Sequence, residues 1–87
     1  MRVKVWVVAY TSEYENGERF MNTSVFGNFD KATESIDNDY SDVLREARAD
    51  YPDGEIKWDV CQGYASIEYP GHSFEWIAEE KEVDIDE

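Results

Sequence analysis

Only one stretch of this 87-residue chain carries a helical period; most of the rest alternates with a period of two. Ala32, Ile36, Tyr40, Val43, Leu44, Ala47 and Tyr51 recur at steps of three and four, the spacing that lines one face of an α-helix. Asn28 or Asp30 stands where a side chain can accept from the unpaired N–H groups of a first turn. Pro52-Asp53-Gly54 closes the run, because proline cannot continue the hydrogen-bond ladder and glycine tolerates a reversal. The pattern predicts one amphipathic helix over about residues 29–51, roughly five to six turns long. A chain with one helix and several strands must lay that helix on a sheet.

The strands are read from alternation. Val3–Tyr10 is β-branched and aromatic, and both of its alternating sets, Val3/Val5/Val7/Ala9 and Trp6/Val8/Tyr10, are apolar. That predicts a central strand covered on both sides, with Val5 in the core. Glu15-Asn16-Gly17-Glu18 is a hairpin signal whose two central residues are suited to positive φ, and Arg19–Phe26 returns antiparallel. After the helix, Glu55–Cys61, Tyr64–Tyr69 and Ser73–Ala78 alternate again, separated by Gln62-Gly63 and Pro70-Gly71. Ile56, Trp58 and Val60 share one face, with Trp58 expected in the core. The expected fold is α+β: one long helix on a mostly antiparallel sheet, in the order β-β-α-β-β-β. Residues 1–82 form a single domain, and residues 83–87 an acidic tail in which charge favours fraying over strand extension by Val83 and Ile85.

Charge divides the chain unevenly. Eight Lys and Arg oppose 21 Asp and Glu, a formal net charge of −13. Residues 1–29 balance three acids against three bases, whereas residues 75–87 hold seven acids against Lys81 alone. Such a surface is not expected to bind nucleic acid or an anionic membrane directly. The longest apolar run, Val5–Tyr10, is far too short to span a bilayer. No secretory signal is recognisable after Arg2 and Lys4, and the single cysteine, Cys61, excludes an internal disulfide. A cytoplasmic location is therefore expected. The 15% aromatic content, with Trp6, Trp58 and Trp76, argues for a packed core rather than disorder.

No motif for catalysis is recognisable, and no catalytic residue, metal ligand or cofactor is expected. His72 is the only histidine and is expected as a solvent-exposed turn residue; Cys61 has no neighbouring base and is expected as a buried or half-buried structural thiol. Asp37-Asn38-Asp39-Tyr40-Ser41-Asp42 fails as a calcium loop, because Asp42 replaces the turn glycine and Arg48 the bidentate glutamate. Asn22-Thr23-Ser24 is a glycosylation sequon without a secretory context.

The acids themselves are arranged. Asp39, Asp42, Glu46 and Asp50 step by three, four and four. They fall within about 80° on the helix, spaced by about 4.5–6 Å along its axis. Glu55, Asp59, Glu68 and Glu75 are expected as a second group on the sheet face opposite the helix. Like charges at this spacing repel by a few tenths of a kcal/mol per pair, a cost that points to a binding surface for a basic partner.

A chain of this length, with a −13 charge, an acidic run from Asp30 to Glu87, and the segments Met1-Arg2-Val3-Lys4-Val5-Trp6-Val7-Val8 and Val25-Phe26-Gly27-Asn28-Phe29-Asp30-Lys31-Ala32, resembles the small phage-encoded inhibitors of the anti-CRISPR and anti-restriction DNA-mimic type. The resemblance is one of type and carries no site residues with it. It implies an inhibitor that occupies the basic nucleic-acid-binding surface of a CRISPR effector or similar defence nuclease, as a monomer or small homo-oligomer. Two other expectations stand beside it: an immunity or antitoxin protein plugging a toxic nuclease, and a small regulatory module whose aromatic sheet binds a protein while its acids solubilise it. Salt separates the last from the others, because a mimic's affinity falls steeply with ionic strength.

Overall fold

The computed structural model describes residues 1–84. It contains strands β1 (Arg2–Tyr14) and β2 (Arg19–Phe26), helix α1 (Phe29–Asp50), a 3-10 turn (Asp53–Glu55), and strands β3 (Lys57–Cys61), β4 (Tyr64–Tyr69) and β5 (His72–Asp84). The strands form one antiparallel sheet in the order β2-β1-β5-β4-β3, and α1 packs on one of its faces. This is the expected α+β fold in the expected element order.

The local signals explain the boundaries. Asn28 Oδ1 accepts from the Lys31 N–H at 2.8 Å and opens α1. Tyr51 adopts an extended backbone ahead of Pro52, which excludes helical geometry from the residue before it. Between β1 and β2, only Gly17 takes positive φ, at 87°; Asn16 does not. The turn is therefore a type I turn completed by a left-handed glycine, with the Gly17 N–H on Tyr14 O and the Tyr14 N–H on Glu18 O, both at 2.9 Å. Asn16 contributes through its side chain, which accepts from the Glu18 N–H at 2.9 Å.

The core lies between α1 and the β1-β5-β4 part of the sheet. Ala32, Ile36, Tyr40 and Ala47 of the helix pack against Val8, Ala65, Ile67, Phe74 and Trp76, with Ile56 closing one end. Trp76 is fully buried, and the Tyr40 ring meets it edge-on at 6.3 Å.

Three expectations about the core and the tail are corrected. First, β1 is covered on one face only. A single helix supplies one layer, so Val3, Val5, Val7 and Ala9 lie on the uncovered face and are half-buried, Val5 among them. Second, Trp58 is 42% exposed, because β3 is the edge strand on its side of the sheet; the Arg48 guanidinium lies 5.3 Å from its ring centre. Third, β5 runs on to Asp84, with Val83 opposite Val3 and Asp84 opposite Arg2. The first two residues of the expected tail are thus paired strand residues; residues 85–87, with Ile85, lie outside the described residues.

The extension of β5 produces a projecting ribbon. Pairing with β2 stops at Trp6, opposite Phe26, and pairing with β4 stops at Ile77, opposite Tyr64. Beyond these points β1 and β5 continue as two strands alone. On the helix side the ribbon bears a charge ladder, Arg2 to Glu82 at 3.8 Å and Lys4 to Glu80 at 3.6 Å. On the other side Val3 faces Val83 and Val5 faces Lys81.

Candidate functional site

The helix places Asp39, Asp42, Glu46 and Asp50 along one flank, all exposed. Because α1 is anchored through Ala32, Ile36, Tyr40 and Ala47, this flank is fixed about 80° from the centre of the buried face. It borders the tyrosines of the sheet. Burial raises the ionisation of Tyr10 above its ordinary range, and the Asp39 carboxylate pushes it the same way. Burial likewise raises Tyr69, with Glu46 and Asp50 among the charges that add to it. The stripe therefore runs beside the aromatic groups of β1 and β4.

Within the stripe, Asp42 pairs with Arg45 at 2.8 Å. Among the described residues, Asp39, Glu46 and Asp50 have no ion-pair partner. Most of the bases are engaged elsewhere: Arg2, Lys4, Arg19 and Lys81 pair on the strands, and Arg48 pairs with Asp53 at 3.3 Å, while Lys31 and Lys57 form no ion pair among the described residues. Three of four carboxylates are left facing solvent in a row on a rigid element.

The second acidic group is split. Asp59, Glu68 and Glu75 lie on the sheet face away from the helix, as expected, with Asp59 and Glu75 on either side of Ser66 in one cross-strand row. Glu68 lies between Lys57 and Ser73. Glu75 accepts from the Tyr64 hydroxyl at 3.4 Å. Glu55 is not on the sheet: it sits in the 3-10 turn before β3, because Pro52-Asp53-Gly54 continues into a tight turn rather than releasing the chain directly into a strand. The eight candidate residues therefore divide among three places: four on the helix flank, three on the uncovered sheet face, and Glu55 in the turn before β3.

His72 and Cys61 reverse their expected environments. His72 opens β5 and is half-buried against Tyr69 (4.8 Å) and Tyr14 (5.2 Å), with Nδ1 buried and unpartnered. Its strand register, opposite both Tyr14 and Tyr69, draws it into the aromatic cluster. Cys61 is exposed because it ends the edge strand β3. Among the described residues no group of His, Cys, Asp and Glu is arranged to hold a metal ion, and no helix is long and apolar enough to cross a membrane.

The feature that the sequence reading missed is the uncovered face itself. Its signal was present in the double apolar alternation of Val3–Tyr10, which reads equally as burial on both faces or as burial on one and an apolar surface on the other.

Comparison with known proteins returns no match: no family model fits the chain, and no curated protein or solved structure is significantly similar to it.

Proposed function

We propose that this protein is a binding-only inhibitor whose helix flank occupies the basic nucleic-acid-binding surface of another protein, with a CRISPR effector or similar defence nuclease as the partner class. The observation that carries this reading is the row Asp39, Glu46 and Asp50, exposed and without ion pairs among the described residues, on a helix held rigidly by its buried face. Spaced by about 10.5 and 6 Å along the helix axis, these carboxylates offer Lys and Arg side chains the charge they otherwise find on phosphates. The row needs no conformational change to present itself, so binding would not have to order it first. The sheet carboxylates Asp59, Glu68 and Glu75 face the other way and contribute to long-range steering rather than to the same contact.

The test is capture and competition. Cells expressing CRISPR effectors, restriction nucleases or toxic nucleases supply a panel of candidates for copurification with the tagged protein. The captured partner should lose its nucleic acid as the protein binds, and binding should weaken steeply with added salt. A partner that holds protein and nucleic acid together without mutual loss of affinity overturns the reading. So does an Asp39→Asn, Asp42→Asn, Glu46→Gln, Asp50→Asn variant that binds and inhibits like the parent.

A further inference from the structure

We infer that the uncovered sheet face, centred on the β1–β5 ribbon, is a self-association surface on which a second copy of this chain packs face to face about a twofold axis. On this face the cross-strand pairs read, from the end of the ribbon inward, Val3–Val83, Val5–Lys81, Val7–Glu79 and Ala9–Ile77. Val25, 65% exposed, stands beside Val7 on β2. In a chain of net charge −13 these positions are charge-neutral, with one lysine and one glutamate among apolar residues. Within the patch the two charges cancel, and the acids that share the sheet face, Asp59, Glu68 and Glu75, lie outside it, on β3, β4 and beyond Ile77 on β5.

The order of the residues identifies the occupant. Along β5 the face runs apolar, lysine, glutamate, apolar: Val83, Lys81, Glu79, Ile77. Reversed, the same run exchanges lysine for glutamate and keeps its apolar ends. A twofold axis in the plane between two such faces, perpendicular to the strands and midway between the Val5–Lys81 and Val7–Glu79 pairs, lays β1 on β1 and β5 on β5 in opposite directions. Each Lys81 then meets the other copy's Glu79, each Val5 meets a Val7, and the Val3–Val83 pair meets Ala9–Ile77. This is the self-complementarity that an isologous interface requires. Within one chain Lys81 Nζ and Glu79 Oε2 already lie 3.3 Å apart, both more than half exposed, so the dimer joins two surface pairs into a four-charge network.

The ribbon also lacks other support. Two strands alone are marginally stable in water, and a third layer or neighbour is normally needed. Its helix-side face is satisfied by the ladder of Arg2, Lys4, Glu80 and Glu82, which leaves the valine face as the one that gains from cover. The patch spans about 20 Å along the strands. With two to three strands of width it falls below the roughly 800 Å² per partner of a tight complex. The dimer is therefore a concentration-dependent one, forming at micromolar rather than nanomolar protein.

Sedimentation of the full chain in reducing buffer, over roughly 5–500 μM, tests this. The parent's weight-average mass should rise from 10.2 kDa toward twice that value. Lys81→Glu and Glu79→Lys should each weaken association by about tenfold, while the double variant, which restores opposite charges across the axis, should return to within about threefold of the parent. Glu79→Lys is the decisive single change, since it lowers the net negative charge and would strengthen any association limited by overall repulsion. Val5→Thr keeps a β-branched strand residue and should also weaken the dimer. Circular dichroism of each variant verifies that the monomer remains folded. A parent that stays monomeric throughout, a dimer indifferent to Glu79→Lys and Val5→Thr, or a folded double variant that fails to recover association each overturns the proposal.

Discussion

The rings of Trp6 and Phe29 lie 4.6 Å apart with their planes inclined at 57°. This contact ties the strand at the point where its β2 partner ends to the first residue of the helix, three residues beyond Phe26. Phe29 also closes over Gly63, where an added Cβ would lie 3.4 Å from the ring. One aromatic pair therefore sets where α1 enters the sheet. Phe29→Ala should destabilise the domain by about 2–3 kcal/mol in urea unfolding. A double-mutant cycle with Trp6→Ala should return a coupling of about 0.5–1.5 kcal/mol. Additive losses would mean that the two rings act separately.

The helix start depends on one side chain. Asn28→Ala removes the acceptor for the Lys31 N–H and should cost about 0.5–2 kcal/mol, while Asn28→Asp or Asn28→Ser should restore most of it. Chemical denaturation of the three variants checks this.

The acidic stripe should be a burden on the isolated protein. Neutralising Asp39, Glu46 or Asp50 to the matching amide should leave stability unchanged or raise it by a few tenths of a kcal/mol per like-charge neighbour removed. The difference should close near 1 M salt, where the screening length is about 3 Å. Thermal melts at low and high salt read this out. A marked loss of stability would mean that the carboxylates hold structure.

Alkali should unfold the domain. Burial is the leading cause that raises Tyr10, Tyr40 and Tyr69 above the ordinary tyrosine value of 10.0. The unfolded chain then releases tyrosine protons at a pH where the folded chain still holds them. The stability contributed by these groups is complete below pH 10 and declines as pH rises through and beyond it. Tyr40→Phe should flatten that decline without introducing an ionisable group, as urea midpoints measured between pH 8 and 11 would reveal.

The helix was legible because its signals agree: apolar steps of three and four, an asparagine cap and a proline stop. The strands were legible for the same reason, although β1 and β5 run beyond the expected Val3–Tyr10 and Ser73–Ala78, and β3 starts at Lys57 rather than Glu55. What could not be read was pairing. That β1 lies between β2 and β5 depends on contacts between residues 58 to 82 positions apart, and the acidic character of Glu79–Asp84 looked like that of a frayed tail. The basic partners Arg2 and Lys4 were visible, but their pairing with Glu82 and Glu80 appears only once the register is known. The same gap explains the site. Helical spacing placed Asp39, Asp42, Glu46 and Asp50 on one flank from sequence alone. Alternation placed Asp59, Glu68 and Glu75 together, but nothing local to Glu55 distinguished a strand start from a 3-10 turn. His72 and Cys61 were misjudged because their exposure depends on which strands flank them.

The pairing of Arg2 with Asp84 and of every residue between Val3 and Tyr14 with its counterpart on β5 sets the order in which this sheet can assemble. The β1–β2 hairpin and the β3-β4-β5 meander close short loops and can form early, whereas joining them requires a loop of most of the chain to close. Contacts so distant in sequence slow folding. Until they form, the inner edge of β1 stands open along its whole length, an invitation to the wrong strand. The high charge then has a second value: nascent chains carrying the same strong negative charge repel one another during the interval when that edge is unguarded.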